Sequence, residues 1–244
     1  GAMKSAWNER DAKAAIARYA KNGIAADLAL RIYSTQLLGR DAKLVLHGGG
    51  NSSLKTTTRD LNGGTVAVLR VKGSGWDMGR IAPAGFPAVR LAPLRALRAR
   101  KVLSATDMAK AQRAYLLDPQ APSPSVEMLL HAFMPATFVD HTHATAVLSL
   151  IDQPNAEALC ADVFGARLGF VPYRMPGFGL AGKAADVFDA NPKVEGLILD
   201  KHGIFTFGAS AHEAYERMIG FVTRAEARLK KGLTVFVSAK LPKA

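Results

Sequence analysis

The chain has 244 residues, 49% hydrophobic and 21% charged, which is enough apolar material for a sizeable core and excludes disordered and fibrous classes. Its 32 lysines and arginines against 20 acidic residues give a formal net charge of +12, which favours anionic partners without choosing among nucleic acid, anionic lipid and small phosphorylated or carboxylated substrates. No stretch reaches the roughly 18 to 20 apolar residues of a bilayer span and no secretion signal is legible, so a soluble cytoplasmic protein is expected; the single cysteine, Cys160, excludes an intramolecular disulfide and a cysteine-only metal cluster.

Gly1 and Ala2 read as a tag scar ahead of Met3. Helical spacing from Trp7 to Leu38, broken at Asn22-Gly23, predicts two helices. From Lys43 to Val71, runs rich in Val, Leu and Thr between glycine turns predict antiparallel strands, with Asn62-Gly63 as a hairpin turn. A basic helix is expected after Pro93 to about Lys101, and another from Ser104 to before Asp118-Pro119. In SPSVEMLLHAF, Ser123 or Ser125 is placed to cap a helix with Glu127 in its first turn, ended by Pro135. Phe138 to His143 alternates as a strand, Pro154 to Phe164 reads as helix, Gly169 to Tyr173 as extended, and Lys183 to Asp189 as a short helix. Strands at Gly196 to Leu199 and Ile204 to Phe207 flank Asp200-Lys201-His202-Gly203, and an amphipathic helix from Ser210 to Lys231 follows. With no repeat and no long linker, a single domain over 1–244 is expected, an α/β or α+β layer with a substantially antiparallel sheet.

His141 and His143 stand two apart in FVDHTHATAVLSL, and alternate residues of a strand share a face, so both imidazoles can converge on one metal ion. His202, at a turn between two apolar strands, is the candidate third ligand; the competing reading is an H-x-H pair without function. His47, His131 and His212 lack comparable partners and are assigned structural or surface roles. Glu127 is either a helix-dipole carboxylate or, if that helix end faces a metal, a general acid/base. Two turns, Gly48 to Ser53 and Lys72 to Gly75, carry the amides and hydroxyls of an anion nest, or are plain hairpin turns. Gly177 to Gly182 satisfies G-x-G-x-x-G, but Arg174 and Pro176 interrupt the preceding strand and the helix after it reads as about two turns, which argues against a dinucleotide fold. Cys160 reads as a small buried hydrophobe, and the basic run Arg90 to Lys101 as a solvated helix face, since it lacks interleaved aromatics or a nucleic-acid motif.

Taken in order, GGGNSS (48–53), VKGSG (71–75), PSVEMLLHAF (124–133), DHTHATA (140–146), VPYRMPGF (171–178) and DKHGIFTFG (200–208) resemble the class II aldolase/adducin family, in particular the aldolase half of bifunctional rhamnulose-1-phosphate aldolase/alcohol dehydrogenases. The resemblance implies a three-layer α/β/α fold with a mainly antiparallel central sheet, commonly in a homotetramer. It implies zinc on His141, His143 and His202, Glu127 as acid/base, and Gly50, Asn51, Ser74, Gly75 and Ser125 in a phosphate pocket. It implies retro-aldol cleavage of a ketose 1-phosphate such as rhamnulose 1-phosphate to dihydroxyacetone phosphate and lactaldehyde, a small phosphorylated sugar being the partner and neither nucleic acid nor membrane. The same scaffold also serves epimerases, dehydratases, aldolases of non-phosphorylated substrates and non-catalytic adducin-like proteins. One departure is that Ser125-Val126-Glu127 stands where fuculose-phosphate aldolases carry two serines before the glutamate, which removes a phosphate-binding hydroxyl.

Overall fold

A computed structural model of the chain describes residues 1–46 and 49–240, the side chains of 233–240 excepted; His47 and Gly48 lie outside the described residues. A seven-stranded sheet has the order β3-β2-β1-β4-β7-β6-β5. Its strands are β1 (Asn51–Arg59), β2 (Thr65–Val71), β3 (Ala88–Arg90), β4 (Phe138–Thr142), β5 (Leu168–Val171), β6 (Gly196–Leu199) and β7 (Gly203–Gly208). Every pairing is antiparallel except β5 with β6. The helices are α1 (Glu9–Ala20), α2 (Ala26–Gly39), α3 (Leu91–Ala96), α4 (Ala105–Ala114), α5 (Met128–Phe133), α6 (Thr145–Ile151), α7 (Ala156–Phe164), α8 (Phe178–Ala190) and α9 (Ala211–Lys240).

Strand alternation sorts the sheet into two apolar faces. Val139, Leu197, Leu199, Phe205 and Phe207 pack with α3, α5 and α8, whereas Ile198 and Ile204 pack with α6, α7 and α9 on the other side. Leu54 and Phe138 meet α2 on that second side. The result is the expected three-layer α/β/α arrangement with a largely antiparallel centre. Among the described residues no helix is long and apolar enough to cross a membrane.

Several local expectations are corrected. Lys43 and Leu44 lie in a turn, and β1 starts only at Asn51. Glu127 is the N-cap of α5, with φ −92° and ψ 12°, and stands just outside the helix rather than in its first turn. Ser125 Oγ accepts the Glu127 amide at 3.1 Å, and the backbone carbonyl of Ser125 accepts that of Met128 at 3.0 Å. The glycine-rich run Gly177 to Gly182 opens helix α8 rather than preceding it. Gly177 (φ 139°) caps α8, and Gly179 and Gly182 sit inside that 13-residue helix with open space where a Cβ would stand. Residues 172–176 separate Gly177 from β5, so the run lacks the tight strand-to-helix turn of the dinucleotide motif. The helix is also longer than the two turns expected, and α9 runs on to Lys240.

Candidate metal centre

Strand register brings the candidate ligands together at one end of the sheet. Asn51 at the start of β1 pairs with His141 near the end of β4, and Thr142 pairs with Ile204, which sets His143 beside the β6–β7 turn. That three-residue turn, Asp200-Lys201-His202, holds Lys201 in the left-handed region (φ 57°) and closes onto Gly203 opposite Leu199. Gly203 (φ 156°) cannot carry a side chain: a Cβ would lie 2.6 Å from Thr142 O and 3.1 Å from both the His141 and His143 rings. Gly50 (φ 93°) is pinned similarly, 2.7 Å from His141 O. The two glycines therefore let the β6–β7 turn and the start of β1 close tightly against His141 and His143.

His141 and His143 share the sheet face covered by α5, as the period of two requires, and Glu127 at the α5 N-cap reaches them from above. One ligand atom from each of Glu127, His141, His143 and His202 falls within 4.8 Å of the others. His141 Nε2 and His143 Nε2 are 3.1 Å apart, close to the roughly 3.3 Å that two nitrogens at 2.0 to 2.1 Å from a tetrahedral zinc would show. His141 Nδ1 lies 3.0 Å from Ile204 O, a contact that orients the ring with Nε2 toward the cluster. Burial first, then the charges of His141 and His202, lower the His143 pKa to about 4, so at neutral pH its ring is an unprotonated donor. The donor set thus fits a divalent metal of the zinc type, held by three imidazoles with Glu127 at hand.

Glu127 Oε2 accepts from His202 Nε2 at 2.5 Å, and Oε1 lies 3.4 Å from His141 Nε2. Burial works to raise this carboxyl, but the charges and hydrogen bonds of His141 and His202 outweigh it and hold the group well below the usual carboxylate range. Glu127 is accordingly ionised and oriented.

Of the expected phosphate-pocket residues, Asn51 and Ser125 meet Glu127 directly. Asn51 Nδ2 donates to Glu127 Oε1 at 2.8 Å and to Ser125 Oγ at 3.2 Å. Ser74 donates from its amide to Ser123 O and from its hydroxyl to Pro124 O, tying the 72–75 turn to the 123–125 segment. Gly75 (φ 84°) follows in open space, and Gly50 precedes Asn51. Lys72 opens the same turn: it is 6% exposed, its Nζ donates to Gly73 O, and burial lowers its pKa. Beside Glu127 an apolar cavity of about 140 Å³ is lined by Met108, Val126, Leu129, Leu130, Pro176 and Leu180.

The other expectations divide. Cys160 is buried and its thiol is pushed up to about 11, chiefly by burial, so it is an inert apolar residue as expected. His212 stacks on Trp7 at the surface. His131 is neither exposed nor idle: it is fully buried and bonded to Ser53 and Asn51. In the basic run, Arg98 pairs with Asp186 and Asp189 on α8, so this side chain braces two elements.

A model of the class II aldolase and adducin N-terminal domain matches residues 31–229. The chain belongs to the class II aldolase/adducin family. A family relative in Bacillus subtilis (strain 168), "Uncharacterized oxidoreductase YuxG", is 35% identical over 195 residues, which is 80% of this chain; the chain spans only 28% of that protein's length. The N-terminal class II aldolase domain of a conserved protein from Thermoplasma acidophilum superposes with a TM-score of 0.79 at 39% identity, covering 83% of this chain and 93% of that one. A sugar-phosphate aldolase from Thermotoga maritima shares the fold at 17% identity, with a TM-score of 0.62 over 87% of this chain and 97% of that one.

Proposed function

We propose that the protein is a zinc-dependent aldolase that cleaves a ketose 1-phosphate, rhamnulose 1-phosphate in the first instance, to dihydroxyacetone phosphate and lactaldehyde, working as a homotetramer. The observation that carries this reading is the placement of His141, His143, His202 and Glu127 in one cluster that touches the Asn51–Ser125 pair.

Bound by the three imidazoles, a divalent metal supplies Lewis-acid polarisation of a carbonyl oxygen and stabilises negative charge that develops there. The protein supplies the rest. The Ser74 and Ser125 hydroxyls, the turn at Gly75 and the buried Lys72 ammonium form a polar, positive seat for the substrate phosphate. Glu127, ionised and within hydrogen-bond reach of the cluster, delivers a proton to, or removes one from, the carbon next to the carbonyl. The apolar cavity beside Glu127 offers space for an uncharged, methyl-bearing end of the sugar.

Incubating the protein with ketose 1-phosphates and identifying the products tests the reaction. Glu127→Gln, which keeps the shape of the side chain, is expected to lower kcat by roughly 10² to 10⁴ while zinc stays bound. Full activity in the zinc-loaded Gln variant would remove Glu127 from the acid/base role.

A further inference from the structure

Two periodicities intersect beside the metal cluster. Asn51 and Ser53 share one face of β1, while Glu127 and His131 lie four apart at the N-cap and in the last turn of the short helix α5. The four side chains interleave into one hydrogen-bonded chain. Ser53 Oγ meets His131 Nδ1 at 2.6 Å, His131 Nε2 meets Asn51 Oδ1 at 2.5 Å, and Asn51 Nδ2 meets Glu127 Oε1 at 2.8 Å.

The proton positions along this chain follow from the orientation of the Asn51 amide. It presents its NH₂ to both Glu127 Oε1 and Ser125 Oγ and its oxygen to His131. An amide oxygen only accepts, so His131 must carry hydrogen on Nε2. A neutral ring then has its lone pair on Nδ1, where the Ser53 hydroxyl donates. His131 and Ser53 are fully buried and Asn51 is 5% exposed, so water does not compete for these bonds. Burial, the largest cause, keeps the ring neutral. The ring is also clamped edge-on against Phe205, at 5.6 Å between centroids, and Phe205 stacks on His141 at 4.0 Å.

We propose that His131 is a positioning residue for Glu127: as its neutral Nε2–H tautomer it locks the Asn51 amide so that the NH₂ group orients the Glu127 carboxylate against the histidine cluster. Its catalytic consequence rests on the acid/base reading of Glu127, but the relay itself does not.

Two substitutions separate positioning from mere core filling. His131→Gln keeps an amide N–H near the place of Nε2, whereas His131→Leu keeps bulk and loses the donor. In ¹⁵N-histidine NMR of the wild-type protein, His131 is expected as the neutral Nε2–H tautomer. The ¹³Cδ resonance of Glu127 is expected to move in the Leu variant and to return toward its wild-type position in the Gln variant. With zinc content still one per chain, the Leu variant is expected to lose about 10- to 100-fold in kcat, the range for partners that orient a site, and the Gln variant to recover most of it. An Nδ1–H tautomer or an imidazolium at neutral pH would overturn the proposal. So would a Leu variant with an unmoved Glu127 signal, or with wild-type kcat. If no ketose 1-phosphate is cleaved by the wild-type protein while both NMR results hold, the substrate reading fails and the positioning role stands.

Discussion

Lys55 shows how one side chain can set a pH dependence for the whole fold. It lies on β1 with its Nζ donating to Ala136 O at 2.9 Å, and burial, then the charge of Arg95, lowers its pKa from 10.5 to about 7. Below about pH 7 the folded and unfolded chains both carry this charge, and the folded state bears the full cost of burying it. Between about 7 and 10.5 the unfolded chain holds a proton that the folded chain has released, so stability rises with pH; above 10.5 the cost is gone. Denaturant unfolding at pH 7 and pH 9 checks this: the stability of Lys55→Met relative to wild type is expected to decrease as pH rises. A pH-independent difference would mean that Lys55 titrates normally. At this scale His141, His143 and His202 were legible in the sequence, because two of them share a strand face and the third marks a turn. His131 was not, because its partners Ser53 and Asn51 lie 78 and 80 residues away and become neighbours only when β1 pairs with β4 beneath α5.

Strand β4 is the element on which the site depends, since it carries His141 toward α5 and Asp140 toward α2 and leads directly into His143. Arg31 of α2 meets Asp140 at 2.5 Å, both fully buried, and donates further to Ser53 O, Thr35 and Ser34. Asp140→Ala would leave the guanidinium buried without its carboxylate, and a loss of about 3 to 5 kcal/mol in unfolding free energy is expected. A loss under about 1 kcal/mol, the range of exposed pairs, would show that the pair does not anchor the strand. Elements with one strong local pattern were legible: the break between α1 and α2, the alternation of β4, the paired strands β6 and β7. Others were set by tertiary context. The run TAVLSLI of α6 reads as readily as a strand, and packing against α9 and α7 makes it a helix. The parallel pairing of β5 with β6 needs α8 as its crossover, and the glycines of 177–182 disguise the start of that helix.

Across the whole molecule, a mainly antiparallel sheet brings the first residue of β1, the last residues of β4 and the β6–β7 turn to one end, where α5 presents Glu127. The mixed, substantially antiparallel character of the sheet was legible from the helical and strand patterns, whereas the three-layer order came only from the resemblance to the family. The formal net charge of +12 gives the chain a field that attracts anions, and Lys72 opens the 72–75 turn. The proposed chemistry stands or falls on the metal. The decisive measurement is the zinc content of untagged protein, as purified and after metal addition, beside a His141→Ala variant. About one zinc per chain, lost in the variant, is the predicted result. No zinc taken up by the wild-type protein, or equal uptake by the variant, would contradict it.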